Sequence, residues 1–134
     1  MSDWNTQIIE EFRANEGRVG GQFEGASMIL IHHTGARSGT ERVSPLVYFP
    51  DGERMVIIAS AGGAPKNPDW YHNLKAHPHT TAEVGKETFT VDVVELTGDE
   101  RDDLWARIVD AMPGFGEYQR KVTRQIPLLA LTRR

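Results

Sequence analysis

The sequence contains no cysteine, and that absence removes disulfides, thiolate nucleophiles and thiolate-ligated zinc or iron–sulfur centres. Any redox chemistry here must therefore use a borrowed cofactor. Long apolar runs are missing too. Met28 to Ile31 and Met55 to Ala59 fall far short of the roughly 20 residues that cross a bilayer, so no transmembrane segment is expected. The net charge of −4 offers nucleic acid no general attraction. The N-terminus carries Asp3, Glu10 and Glu11 in place of a basic stretch followed by an apolar one. It does not read as a secretory signal, and a cytoplasmic protein, at most peripheral to a membrane, is expected. Neither Ser38 nor Ser60 lies in a Gly-x-Ser-x-Gly elbow, which argues against a serine hydrolase of that type. The histidines His32, His33, His72, His77 and His79 give no metal site. His32 and His33 point to opposite faces of a strand, His77 and His79 flank a proline, and no carboxylate stands at a ligand spacing.

What is present is an ordinary globular composition. At 134 residues, 39% hydrophobic and 25% charged, the chain holds one domain, 1–134, with one core and one expected site. An amphipathic helix over 1–16 is predicted, capped by Ser2 or Asp3, carrying Trp4, Ile8 and Phe12 at helical spacing and ended by Asn15-Glu16-Gly17. A Gly-rich connection from Gly17 to Gly25 leads to a buried strand over Ser27 to Ile31, and Thr34 to Thr40 reads as a loop. Arg42 to Phe49 and Arg54 to Ser60 form a hairpin across Pro50-Asp51-Gly52. Asn67-Pro68-Asp69 reads as the capped start of a short helix that Pro78 stops. Thr80 to Val84 and Glu87 to Leu96 make a second hairpin across Gly85-Lys86. The apolar phase shifts from Phe89, Val91 and Val93 to Val94 and Leu96, which predicts a bulge. Thr97 to Glu100 has the form of a capping box opening a helix with Leu104 and Ile108 in its stripe. A shorter helix over Phe115 to Val122 and a last strand over Ile126 to Leu131 complete the chain. Six strands with short helices make an α+β domain whose sheet is curled or closed.

Two groups of residues carry the chemistry. Arg37, Arg42 and Lys66 are three cations that two loops and a strand start bring toward one end of the sheet. Lys66 precedes a helix start, and Arg37 and Ser38 sit in a Gly-flanked loop. Such a set suits a phosphate or carboxylate tail, and equally describes solvated surface cations. Gly62-Gly63 lets backbone approach a flat ligand or merely closes a tight turn. The second group is aromatic: Trp70 and Tyr71 on one short helix, Phe115 and Tyr118 on another. These rings either wall a planar heterocycle or serve as core packing.

Four stretches together carry a resemblance: Thr34 to Gly39, Arg42 to Leu46, the long motif from Ala59 to Leu74, and Tyr118 to Pro127. On them the chain resembles the deazaflavin-dependent nitroreductases, split β-barrel proteins that use reduced coenzyme F-420, an 8-hydroxy-5-deazaflavin. The resemblance implies that Arg37, Arg42 and Lys66 hold the phosphate and acidic tail, with His33, Ser38, Gly39, Ser44 and Pro45 around them. It implies that Ile58, Ala59, Ser60, Ala61, Gly62 and Gly63 line the ring and that Asn67, Trp70 and Tyr71 complete the cleft. The chain departs from the pattern at Ala61, where a lysine is frequent, at Val47, where a tyrosine is frequent, and in the late helix, where only Tyr118 remains of several tyrosines, beside Phe115 and Met112. These departures argue against activation of nitro drugs and leave the cationic and glycine positions intact.

The expected activity is hydride transfer from reduced F-420 to a quinone or nitroaromatic, in which Ser60 fixes the ring and Tyr118 donates a hydrogen bond to the acceptor. The alternatives are a non-catalytic carrier of a deazaflavin, flavin or tetrapyrrole, and flavin mononucleotide (FMN) in place of F-420. The barrel-edge strands and the first helix offer surfaces for a homodimer.

Overall fold

The computed structural model describes residues 3–20 and 27–134; Ser2 as a helix cap, the side chain of Trp4 and the connection over 21–26 lie outside the described residues. The elements are α1 (Asp3–Ala14), β1 (Met28–Thr34), β2 (Glu41–Asp51), β3 (Arg54–Ile58), α2 (Asp69–Ala76), β4 (His79–Val84), β5 (Glu87–Glu95), α3 (Gly98–Ala111), α4 (Gly114–Arg120) and β6 (Leu128–Arg133), with a 3₁₀ turn at Ala61–Gly63. The strands close into a barrel in the order β1-β2-β3-β6-β5-β4, and every neighbouring pair is antiparallel.

The strand sequences show why this barrel forms. Ile29 and Ile31, Ile57, Leu129 and Leu131, and Val91 and Val93 alternate along their strands and meet inside, joined by Leu46, Tyr48 and Phe89. The residues between them point outward and are buried only where a helix covers them. Met28 and Leu30 lie beneath Ile8 and Phe12 of α1, and Val56, Ile58, Leu128 and Ala130 lie beneath Leu104 and Ile108 of α3. Strands covered on both faces read as continuous apolar runs. Each fully buried Leu or Ile contributes about 1.5–3 kcal/mol relative to exposure.

Several local expectations are corrected. β5 carries no bulge: it pairs without interruption from His79↔Asp92 to Val84↔Glu87 on one side and from Val91↔Arg133 to Glu95↔Leu129 on the other. The apparent change of phase has another cause. Val94 and Leu96 both face outward, Leu96 is buried against the α3 cluster and Val94 is left bare. The first hairpin turns at Gly52-Glu53, because Asp51 pairs with Arg54. Thr97 stands at the α3 N-cap without a side-chain bond, and Glu100 reaches Arg54 at 3.2 Å instead. Pro68 occupies the α2 N-cap, also without a side-chain bond. The first helix ends where expected, with the Gly17 amide bonded to the Phe12 carbonyl at 2.8 Å.

Antiparallel order fixes which loops share an end. The C-termini of β1, β3 and β5 and the N-termini of β2, β4 and β6 lie at one mouth of the barrel. The connections over 35–40, 59–78 and 96–127 therefore all emerge there. α2 stops this mouth by pushing Trp70 and Leu74 into the interior cluster. Among the described residues no helix is long and apolar enough to cross a membrane.

Candidate active site

The loop after β1 is wound on itself. The Gly35 amide donates to the Thr40 carbonyl and the Gly39 amide to the Gly35 carbonyl, both at 2.9 Å, and the Ser38 hydroxyl accepts the Thr40 amide at 3.2 Å. A Cβ on Gly35 would stand 2.4 Å from Ser38 Oγ, so only glycine allows the hydroxyl to fold under the loop.

A buried polar chain holds this loop against α2. Asn73 Oδ1 accepts the Ala36 amide at 2.9 Å, so its Nδ2 is the group facing His33 Nδ1 at 2.9 Å. Nδ1 must then be the acceptor, and the ring proton sits on Nε2, donated to Ser44 Oγ at 2.9 Å. Burial, and secondarily the charge of Arg42, holds the His33 imidazole below its ordinary pKa, in keeping with this neutral tautomer. Both ring nitrogens are thus engaged and the residue is only 4% exposed, so His33 supports the loop from within.

Between this loop and the first turns of α2 opens a cleft of about 630 Å³ lined by Arg37, Ser38, Arg42, Asp69, His72 and Asn73, with the backbone of Gly35 and Ala36. Arg42 shares the inward register of Ser44 and Leu46 at the rim of β2, opposite His33. Arg37 and Arg42 are both exposed. Two forked cations and the loop's polar groups suit a phosphate or carboxylate tail, with Asp69 and His72 opposite. Lys66 is exposed and stands three residues before α2, off the lining of this cleft. Among the described residues no cluster of His, Asp and Glu could hold a metal.

The second part of the mouth is the stretch from Ala59 to Asn67. Ala59 and Ser60 are buried, and Ala61 takes a positive φ of 50°, strained for a residue with a side chain. The Gly63 amide closes onto the Ser60 carbonyl at 3.0 Å. Gly63 has φ +87°, and a Cβ there would meet Lys121 Cδ at 3.2 Å and Tyr118 Cδ1 at 3.5 Å, so α4 lies directly on this turn. Tyr118 packs edge-on to Phe115, with ring centroids 5.9 Å apart, and both lie at the edge of the α3 cluster with Met112.

The aromatic pair on α2 has structural duties. Trp70 is turned into the barrel core. Tyr71 donates to Glu95 Oε1 at 2.9 Å, an oxygen that also accepts from Lys75 at 2.6 Å. Burial, reinforced by Glu95, pushes the Tyr71 phenol up to about 12. Ser44 and Pro45 sit half-buried in β2.

Sequence reasoning missed Arg124. Its five N–H groups reach the Ala59 carbonyl at 3.2 Å, the Ser60 carbonyl at 2.9 Å, the Ala64 carbonyl twice at 3.2 and 3.0 Å, and Asn67 Oδ1 at 2.6 Å. Asn67, expected as a helix cap, is committed to this guanidinium. The partners lie 57–65 residues away in sequence, beyond any local pattern. The one available signal was that Arg124 falls within the stretch Tyr118 to Pro127.

A family model described as F420H(2)-dependent quinone reductase matches residues 4–133. The chain belongs to that family. It is therefore an oxidoreductase, and coenzyme F-420 is the cofactor of its family. An F420H(2)-dependent quinone reductase of Mycobacterium tuberculosis is 37% identical over 127 residues, 92% of this chain and 85% of the relative. A solved F420-H2 dependent reductase is 37% identical with a TM-score of 0.70, covering 78% of this chain and 93% of its own. A second solved chain, described as a domain-swapped dimer, is 33% identical with a TM-score of 0.73, covering 96% and 97%. The haem storage protein HutZ of Vibrio cholerae, 15% identical with a TM-score of 0.56 over 97% of this chain and 90% of its own, shares the fold alone. In this chain the connections over 35–40, 59–78 and 96–127 converge at one mouth of the barrel, and with them the cleft of Arg37 and Arg42 and the turn at Ala61.

Proposed function

We propose that this enzyme passes a hydride from reduced F-420 to a quinone at the mouth of the barrel. The acidic tail is held between Arg37 and Arg42, and the ring is laid along Ile58 to Gly63. The observation that carries this reading is the pairing of Arg37 and Arg42 on one cleft of about 630 Å³, at the same end as the strained turn at Ala61. The donor chemistry fits the group: forked cations and loop polar groups for an anionic tail, and a glycine-bearing turn for a flat ring.

When bound, the coenzyme supplies two-electron hydride chemistry, and the chain contributes binding, orientation and a dry pocket. Ser60 and its neighbouring amides orient the ring. Lys66 adds a cation at the approach to the tail. Tyr118, on the turn at Gly63, donates a hydrogen bond to the oxygen on which negative charge develops as the acceptor is reduced. Phe115 and Met112 give that acceptor an apolar wall, which suits quinones and also nitroaromatics. The homodimer belongs to this proposal as well, supported by the solved relative described as a domain-swapped dimer.

The test is a fluorescence titration with F-420 against FMN, followed by rapid mixing of the reduced coenzyme complex with menadione. The expected result is preferential F-420 binding and rapid loss of reduced-coenzyme absorbance. Tight binding without oxidation across quinones and nitroaromatics would make the protein a carrier, and FMN winning the competition would replace the coenzyme.

A further inference from the structure

We propose that Arg124 is a positioning residue for the ring end of the site. It gathers three carbonyls onto one guanidinium and, through two of them, turns the Ser60 and Ala61 amides outward as donors. This rests on the coenzyme site proposed above.

Every N–H of the side chain has an acceptor, and all of the acceptors are neutral oxygens: the carbonyls of Ala59, Ser60 and Ala64 and Oδ1 of Asn67. Among the described residues every peptide bond is trans. In a trans peptide the carbonyl and the following amide point in opposite directions. Drawing the Ala59 and Ser60 carbonyls to Arg124 therefore directs the Ser60 and Ala61 amides away from it. Ser60 is right-handed at φ −77°, ψ −30° and Ala61 has φ +50°, a succession that makes consecutive amides converge into a cradle for an electron-rich oxygen. Among the described residues neither amide has an acceptor.

Arg124 is itself braced. Gln119 Nε2 donates to the Arg124 carbonyl at 2.8 Å, and Gln119 Oε1 accepts the Ile126 amide at 2.9 Å, so one side chain clamps the backbone that follows Arg124. The buried Arg101 donates to the Ile126 carbonyl at 2.6 Å. The guanidinium also has no carboxylate against it among the described residues, so a full positive charge stands behind the outward amides and strengthens them as donors.

Arg124→Lys keeps the charge but offers three donors where five are used. The expected result is a rise of about tenfold in the Kd for F-420, because the Ser60 and Ala61 amides lose their fixed direction toward the ring. Faster hydrogen–deuterium exchange confined to residues 59–67 of the coenzyme-free protein should accompany it, with an unchanged KM for menadione. Unchanged affinity and exchange, or loosening spread evenly over the barrel, overturns the proposal. If Arg124→Lys does not fold, Asn67→Ala, which removes the 2.6 Å contact, is measured in the same ways, and the same results support or overturn the positioning role. Arg37→Gln serves as the reference: if it too leaves F-420 binding intact, it is the coenzyme site that fails, whereas loss of binding there with no effect at Arg124 or Asn67 rejects the positioning role alone.

Discussion

Asn73 Nδ2 and His33 Nδ1 stand 2.9 Å apart, and this one hydrogen bond joins α2 to β1 at the barrel mouth while its other end, Asn73 Oδ1, holds the Ala36 amide. The Arg37 loop is therefore set by a buried side chain on a helix that is distant in sequence. Asn73→Ala leaves both partners unsatisfied and should cost about 1–3 kcal/mol of stability, measured by urea unfolding. F-420 affinity should fall with it, because the loop bearing Arg37 loses its anchor.

The burial of His33 also makes stability depend on pH. His33 has a folded pKa below the unfolded value of about 6.5. As pH falls below about 6.5 the unfolded chain takes up the proton first, so the contribution is full above that value and is lost as pH drops through the folded pKa. Asp51 and Glu83, held below their ordinary values by Arg54 and Arg13, stay ionised in this window. Thermal melts between pH 7.5 and 5 should show a declining midpoint in the wild type and a flatter profile in His33→Gln.

Arg37→Gln and Arg42→Gln should each weaken F-420 binding by about tenfold, the order expected for one charge-assisted contact. The double variant should bind with a shallower salt dependence. Titrations at two ionic strengths check both points. Equal salt slopes in all forms would remove the tail from this cleft.

Tyr118→Phe should leave the F-420 Kd unchanged and lower turnover with menadione by about tenfold or more, the scale of losing a donor to a developing oxyanion. Unaltered turnover ends the role given to the hydroxyl.

Gly63→Ala places a methyl 3.2 Å from Lys121 and 3.5 Å from Tyr118 at φ +87°. A loss of more than about 1 kcal/mol is expected, because the left-handed backbone alone costs about that much. Gly52→Ala, with φ +60° and nothing within 4 Å, should cost the backbone share only. Unfolding curves of the two variants separate steric from conformational cost.

What was legible in the sequence followed from local chemistry. Alternation in β5 marked Phe89, Val91 and Val93 as the inner face, and Gly85-Lys86 marked a turn, because both depend on neighbours within a few residues. The false bulge came from reading Leu96 without α3 above it. The capping box at Thr97 failed for a similar reason, since Glu100 found Arg54 across the fold. In the site, the loop of Arg37 and the glycines at 62 and 63 announced themselves by composition. Asn73 and Arg124 did not, and His33 was named only through the resemblance, because a buried polar network is defined by partners that only the closed barrel brings near.

The ladder between β1 and β4 consists of Leu30 with Glu83 and Ile31 with Ala82, against seven pairs between β1 and β2. Among the described residues side chains reinforce it: Thr80 Oγ1 donates to the His32 carbonyl at 2.6 Å, and His32 Nε2 lies 2.8 Å from Glu83. Such a cylinder has a zip as well as walls. The cheapest excursion from the native state parts β1 from β4 and leaves the other five ladders in register, exposing two edges, each of which can pair with the opposite edge of a second opened copy.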